Sequence, residues 1–267
     1  MPEDHQLAAL GARRIDTDTD PDDLVLPEKS GGQLGRIANW LAQPPSIFRE
    51  WGLNRYVDGG FRVLFRGPSG TGKTMAAVAL ARSTEKDLFH VDCSSIVSKY
   101  VGETEKNLHL VFKAADEAGA ILLFDEADAL FGKRSGVKDS HDRYANAEIG
   151  RLLRRIEPFE GLAILTTNSE ASIDPDVLTR IDAVVEFPRP DQSAREAIWS
   201  KLLHAVKLPQ GEVDAGALAK HELTGAEILR CVRVASLVAT TEERKLDMEL
   251  LNAAAAERIA MRDGLKG

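Results

Sequence analysis

From Phe61 onward the apolar residues fall into short unbroken blocks separated by amphipathic stretches. FRVLFRG (61–67), LFHVD (88–92), AILLFDEAD (120–128), LAILTTN (162–168) and VVEFP (184–188) each read as a strand buried on both faces. Between them, TMAAVALARS (74–83), NLHLVFKAADEAG (107–119) and AEIGRLLRRIEPF (147–159) carry apolar residues at helical spacing. Strands that alternate with helices in this way predict a parallel five-stranded α/β sheet with helices on both faces. After Pro188-Arg189-Pro190-Asp191 the strand signal stops, and QSAREAIWSKLLHAV, TGAEILRCVRVASLVATTEER and DMELLNAAAAERIAM are helical to the end. The expected layout is a large α/β domain over 31–190 and a small all-helical domain over 191–267.

Ahead of this body the polar pattern dominates. Asp16, Asp18, Asp20, Asp22 and Asp23 crowd one segment, so residues 1–30 are expected as an acidic, flexible tail. Leu24-Val25-Leu26-Pro27 is a short apolar patch able to dock on the body. Leu34, Ile37, Ala38 and Leu41 have helical spacing, and Pro44-Pro45 ends that helix.

Composition narrows the class. Of the 267 residues, 43% are hydrophobic and 28% charged, ordinary for a globular protein. No apolar run reaches bilayer length, and the acidic start lacks the apolar core of a secretion signal. Cys93 and Cys231 lie far apart without metal-ligand spacing, which fits reduced thiols of a cytoplasmic protein. The net charge of −8 argues against a nucleic-acid partner.

The chemistry concentrates at strand ends. Gly67-Pro68-Ser69-Gly70-Thr71-Gly72-Lys73-Thr74 matches GxxxxGK[ST] between a strand and a helix, the context a phosphate-binding P-loop requires. Gly70 and Gly72 let backbone N–H groups turn inward, and the helix N-terminus adds its positive end. Lys73 can reach the β- and γ-phosphates of a bound triphosphate, and the Thr74 hydroxyl can hold Mg²⁺. The apolar strand 121–124 ends in Asp125 and Glu126, which suit orientation of Mg²⁺ and polarisation of the attacking water. Asp128 is as well explained as a cap of the next turn. Asn168, after the strand LAILTT, is either an amide aimed at the water or γ-phosphate, or a turn-forming Asn.

The motifs GPSGTGKT, LLFDEAD, TTN, TRID (179–182) and LTGAE (223–227) occur in the order of an AAA+ ATPase. The chain resembles the clade of katanin, spastin and the proteasomal ATPases. VLFRGPSGTGKTMAA, SKYVGETEKNL and LFGKRSGVKDSHDRYAN look like the AAA+ ATPases of bacterial phage-tail-like contractile injection systems. The resemblance implies a P-loop NTPase fold with a helical lid, ATP and Mg²⁺ as ligands, and a homo-oligomeric ring, usually a hexamer, acting on a protein substrate or assembly. It assigns Asn168 as sensor 1 and Arg180 as an arginine finger reaching a neighbour's γ-phosphate. It places Val25, Leu26, Gly225 and Ala226 near the adenine. Family members commonly carry a second arginine where this chain has Ala183, so Arg180 acts alone, or Arg143 or Arg151 contributes, or turnover is slow. Arg230 and Arg233 are adequately explained as exposed helix positions rather than as a sensor 2.

The resemblance also interprets Lys99-Tyr100-Val101-Gly102. Aromatic, hydrophobic and glycine in that order match a loop facing the ring axis, where a tyrosine grips a polypeptide without sequence preference. A Tyr100 tucked under its own loop is the structural alternative. The polar run 132–143 is either a second pore loop or a solvated surface loop. The leading expectation is an ATP-driven ring that remodels, threads or disassembles proteins. The rivals are a DNA-directed AAA+ ATPase of the loader or initiator type, which the charge disfavours, and a slowly hydrolysing nucleotide-dependent scaffold, which Ala183 sustains.

Overall fold

The structure, a computed structural model, describes residues 7, 11–16, 19–43, 47–53, 60–92, 101–127, 156, 159–168 and 178–264. The chain divides into two compact units. The first gathers the described parts of Met1–Pro21, Glu28–Pro68 and Lys73–Phe187, and the second those of Asp22–Pro27, Ser69–Gly72 and Pro188–Gly267.

The first unit is built on a sheet of order β1-β3-β4-β5-β2-β6. Its strands are β1 (Ala12–Ile15), β2 (Phe61–Arg66), β3 (Leu88–Asp92), β4 (Ile121–Asp125), β5 (Leu162–Thr167) and β6 (Ala183–Glu186). Strands β2 to β6 pair in parallel at the five expected positions. Val63, Leu64 and Phe65 of β2, Leu122, Leu123 and Phe124 of β4, and Ile164 and Leu165 of β5 are fully buried. That burial explains unbroken apolar runs in place of alternation.

The sixth strand corrects the expectation of a flexible tail. Ala12–Ile15 pairs antiparallel with β3, with Ala12 opposite Val91 and Ile15 opposite Leu88. Arg14 stacks its guanidinium on Phe89 and faces Asp87 at 3.4 Å. A four-residue edge strand with two arginines has no hydrophobic pattern of its own, and pairing with a buried neighbour decides its conformation. The opposite edge is closed by helix α1 (Glu28–Leu41), whose Ser30 and Gln33 side chains donate to the carbonyls of Glu186 and Val184 at 2.7 and 2.8 Å. Side chains that cap an edge this way block pairing with another sheet.

Helices α2 (Ile47–Glu50), α3 (Lys73–Ser83) and α4 (Val101–Ala118) complete the described helices of this unit. Helix α4 begins six residues before the apolar spacing indicates. Its extra turns contain Glu103, Glu105 and Lys106, residue types of strong helix propensity.

The second unit contains α5 (Gln192–Ala205), α6 (Ala215–Leu218), α7 (Gly225–Thr241) and α8 (Met248–Gly264). They surround Trp199, Leu218, Ile228, Leu246 and Leu251, all fully buried. Asp191 caps α5 by accepting from Ala194 N at 2.8 Å. Thr224 and Glu227 form a reciprocal capping box at the start of α7: Thr224 N donates to Glu227 Oε2 at 2.8 Å, and Glu227 N donates to Thr224 Oγ1 at 3.4 Å. Among the described residues, no helix is long and apolar enough to cross a membrane.

Candidate functional site at the carboxyl edge of the sheet

The parallel strands deliver their last residues to one edge, where open α/β sheets bind ligands. Gly67 follows β2, Asp125 ends β4, and Asn168 follows β5. Gly67 has φ 154°, and a Cβ there would lie 2.0 Å from the Phe187 carbonyl oxygen. Only glycine lets the chain leave β2 so close to its neighbour.

Lys73 opens α3 and folds back under the turn. Its Nζ donates to Gly67 O at 2.6 Å, Pro68 O at 2.9 Å and Asn168 Oδ1 at 2.8 Å. The residue is only 7% exposed, and three acceptors match the three N–H groups of an ammonium. The next residue, Thr74, donates from Oγ1 to Asp125 Oδ2 at 3.1 Å. Asp125 Oδ1 accepts from Thr166 Oγ1 at 2.5 Å, and His90 Nε2 lies 3.2 Å from Oδ2. Burial pushes the Asp125 carboxyl up, but the hydrogen bonds from His90 and Thr166, the charge of His90 and the bond from Thr74 together outweigh it. The result is a value pulled down to about 2, so the group is an anion at any physiological pH.

The structure therefore joins four of the predicted residues, Lys73, Thr74, Asp125 and Asn168, into one polar cluster. Glu126 stands beside it, exposed, with φ 52°. A left-handed glutamate is strained and persists only when neighbours hold it. Here its N–H donates to Thr166 Oγ1 at 3.0 Å and Asp125 Oδ1 at 3.2 Å. A hydroxyl and a carboxylate are hard oxygen donors that fit Mg²⁺ bound also through phosphate oxygens. Among the described residues no group of three or more His, Cys, Asp or Glu could hold a metal unaided.

Ser69, Gly70, Thr71 and Gly72, the tip of the turn, belong to the second unit. Gly70 (φ 79°) accepts on its carbonyl from Ala226 N at 3.1 Å, and a Cβ on it would lie 2.8 Å from Thr224 Oγ1. A Cβ on Gly72 would lie 3.3 Å from Leu24 Cδ1. Val25 and Leu26 follow Leu24, half-buried, and Gly225 and Ala226 form the first turn of α7. Arg230 and Arg233 are exposed on α7.

Arg180 occupies an exposed turn before β6. The turn is tied to the start of β2: Arg62 N donates to Asp182 Oδ2 at 2.7 Å, and Asp182 N donates to Arg62 O at 2.9 Å. Ala183 opens β6 opposite Val63. By register, Arg180 lies at the amino edge of the sheet, whereas Asp125 and Asn168 lie at the carboxyl edge. Lys99, Tyr100, Asp128, Arg143, Arg151 and the run 132–143 lie outside the described residues. Val101 and Gly102, expected at a loop tip, have backbones in the first turn of α4. Cys231 is buried and Cys93 lies outside the described residues. Burial pushes the Cys231 thiol up to about 11 against the lowering effect of Arg258.

Two members of the cluster, His90 and Thr166, carried no functional assignment from sequence. A histidine inside an otherwise apolar strand was the available signal for the first.

Residues 63–189 match the family described as ATPase family associated with various cellular activities (AAA). These residues are an AAA domain. The chain is 33% identical over 222 residues to 26S proteasome subunit RPT4 of Saccharomyces cerevisiae, covering 79% of this chain and 49% of that protein. It is 33% identical over 231 residues to the proteasome-activating nucleotidase of Aeropyrum pernix, covering 80% and 55%. Against 26S proteasome regulatory subunit 10B of Dictyostelium discoideum the identity is 30% over 236 residues, covering 82% and 60%. The chain thus spans about half the length of the curated relatives it matches. The AAA match begins at Val63 in β2 and ends at Arg189, so it contains the whole carboxyl-edge cluster and the Arg180 turn.

Proposed function

We propose that this chain binds and hydrolyses ATP with Mg²⁺ as a homo-oligomeric ring, a hexamer by its resemblance, that remodels, threads or disassembles a protein substrate or assembly in the cytoplasm. The observation that carries the reading is the meeting of Lys73, Thr74, Asp125 and Asn168 at hydrogen-bond distance on one sheet edge. The similarity to proteasomal ATPases supports the same class.

Bound Mg²⁺ supplies charge neutralisation on the phosphate oxygens. In this reading the backbone of 67–72 cradles the phosphates, and Lys73 exchanges the carbonyls of Gly67 and Pro68 for β- and γ-phosphate oxygens. The Thr74 hydroxyl would ligate the cation through its oxygen while its hydrogen bond to Asp125 Oδ2 orients it. Glu126 takes the proton of the attacking water as its oxygen bonds the γ-phosphorus. The bond from that phosphorus to the bridging oxygen breaks, releasing ADP and phosphate. Asn168 orients the water or the γ-phosphate. Val25, Leu26, Gly225 and Ala226 line the adenine side.

Arg180 supports an oligomer. Five residues of β2 separate its level in the sheet from Gly67, about 17 Å along a strand. An arginine at the amino edge suits a neighbour's nucleotide better than its own. Lys99, Tyr100, Val101 and Gly102 are assigned to substrate grip in the ring axis, and the narrower resemblance names a contractile injection particle as a candidate assembly.

The test is steady-state ATPase against protein concentration with a protein-remodelling assay. Glu126→Gln should retain ATP and lose turnover, and Tyr100→Ala should keep ATPase and lose remodelling. Normal remodelling by Tyr100→Ala would remove the pore assignment. ATP binding and assembly with negligible turnover would favour the scaffold that Ala183 sustains.

A further inference from the structure

Among the described residues, four donors face the Asp125 carboxylate. An ionised carboxylate offers about four lone-pair sites. Oδ1 accepts from Thr166 Oγ1 and Glu126 N, and Oδ2 takes Thr74 Oγ1 and His90 Nε2. Three of these donors belong to segments already assigned to the nucleotide edge. His90 belongs to none of them.

Its position follows from register. His90 pairs with Leu123 across the parallel β3–β4 ladder, and Asp92 pairs with Asp125. Side chains alternate between faces along a strand, so His90 and Asp125 share a face, one diagonal step apart. The imidazole side chain is 13% exposed in a strand that otherwise contributes Leu88, Phe89 and Val91 to the core. Burying an imidazole there is unfavourable unless it is hydrogen-bonded. Because an ionised carboxylate can only accept, Nε2 carries the hydrogen.

Resting on the ATP·Mg²⁺ reading above, we infer that His90 is a positioning residue: its Nε2–H fixes the Asp125 carboxylate so that Oδ2 stays on the Thr74 hydroxyl, the group that would ligate the cation. Without that donor, Oδ2 keeps, among the described residues, the 3.1 Å contact from Thr74, and the carboxylate can swing about its Cβ–Cγ bond away from the hydroxyl. Partners of this kind beyond the ligand shell are worth about 10- to 100-fold in metal affinity. The low Asp125 pKa agrees, since His90 is the foremost of the influences that pull it down against burial.

The experiment compares the parent chain with His90→Phe, which keeps a ring without a donor, and His90→Gln, which restores an N–H. Binding of a fluorescent ADP is measured across a magnesium series and in EDTA, alongside thermal melting. The inference expects His90→Phe to need about 10- to 100-fold more magnesium for half of its magnesium-dependent gain in affinity. It expects His90→Gln to lie within about threefold of the parent, and binding in EDTA to be equal within about twofold in all three. His90→Leu replaces His90→Phe should the latter fail to fold. An unchanged magnesium requirement in the donor-less variant, or a His90→Gln as impaired as His90→Phe, overturns the positioning role alone. A parent chain without magnesium-dependent nucleotide binding overturns the functional reading and this inference together.

Discussion

Lys73 Nζ donates to Asn168 Oδ1 at 2.8 Å, linking the first residue of α3 to the residue that follows β5. The contact joins the ammonium that would hold the phosphates to the amide that would sense them. Lys73 therefore has to redistribute its donors when phosphate oxygens arrive, and Asn168 is freed to turn its amide toward the γ-phosphate or the water. Asn168→Ala should reduce single-turnover hydrolysis on the order of a hundredfold, while fluorescent-nucleotide affinity changes only a few-fold. Equal losses in affinity and turnover would mean that Asn168 serves only to hold Lys73.

The Arg180 turn makes a separable prediction. Arg180→Ala should lower turnover by about 10³- to 10⁵-fold, with little change in nucleotide affinity or melting temperature. In mixtures, Arg180→Ala chains keep a complete carboxyl edge, and Glu126→Gln chains keep Arg180. Activity regained on mixing the two inactive variants would show that Arg180 serves a neighbour. Asp182→Ala should weaken turnover too, because Asp182 ties this turn to Arg62.

Asp125 has a definite pH signature. Its folded value, about 2, is below the ordinary 3.8. A depressed carboxyl contributes stability that is complete above the unfolded value and is lost as pH falls through the folded one. In nucleotide-free denaturant titrations, the stability difference between the parent and Asp125→Asn should be constant near neutrality. It should change in the direction that disfavours the parent between about pH 4 and pH 2. A difference that does not vary over that window would contradict the hydrogen-bond pattern around the carboxylate.

In the helical unit the Thr224 cap is the most exposed to test. Thr224→Ala should cost about 1 kcal/mol by thermal or chemical unfolding, and Thr224→Ser much less. In the alanine variant the Glu227 N–H loses its Thr224 Oγ1 acceptor, while the Glu227 side chain keeps the backbone N–H of residue 224 and Arg258 and Arg262 at 3.8 and 3.9 Å. A neutral Thr224→Ala would show that the Glu227 side chain alone holds the start of α7.

Much of this architecture was legible because burial leaves a plain signature. Strands β2 to β5 are apolar on both faces, and the glycine turn and the Asp125-Glu126 pair follow two of them directly. What sequence did not show depends on pairing across the chain. Ala12–Ile15 becomes a strand only because β3 offers an open edge. His90 acquires a partner through register with β4, a relation between residues 35 positions apart. The N-terminal turns of α4 carry helix-forming charges but no apolar stripe, so periodicity understated their length. Asp182 closes the TRID motif in the sequence, and its bonds to the backbone of Arg62 exist only because β6 lies beside β2.

The central claim is that the turn 67–74 and the acids at 125 and 126 clasp a triphosphate whose cleavage powers the chain. Isothermal binding of ATP with magnesium, followed by phosphate release, compared between the parent and Glu126→Gln under assembly-promoting conditions, tests it most directly. Both proteins should take up nucleotide, with release falling to background only in Glu126→Gln. A parent that neither binds ATP with magnesium nor releases phosphate would contradict the account at its root.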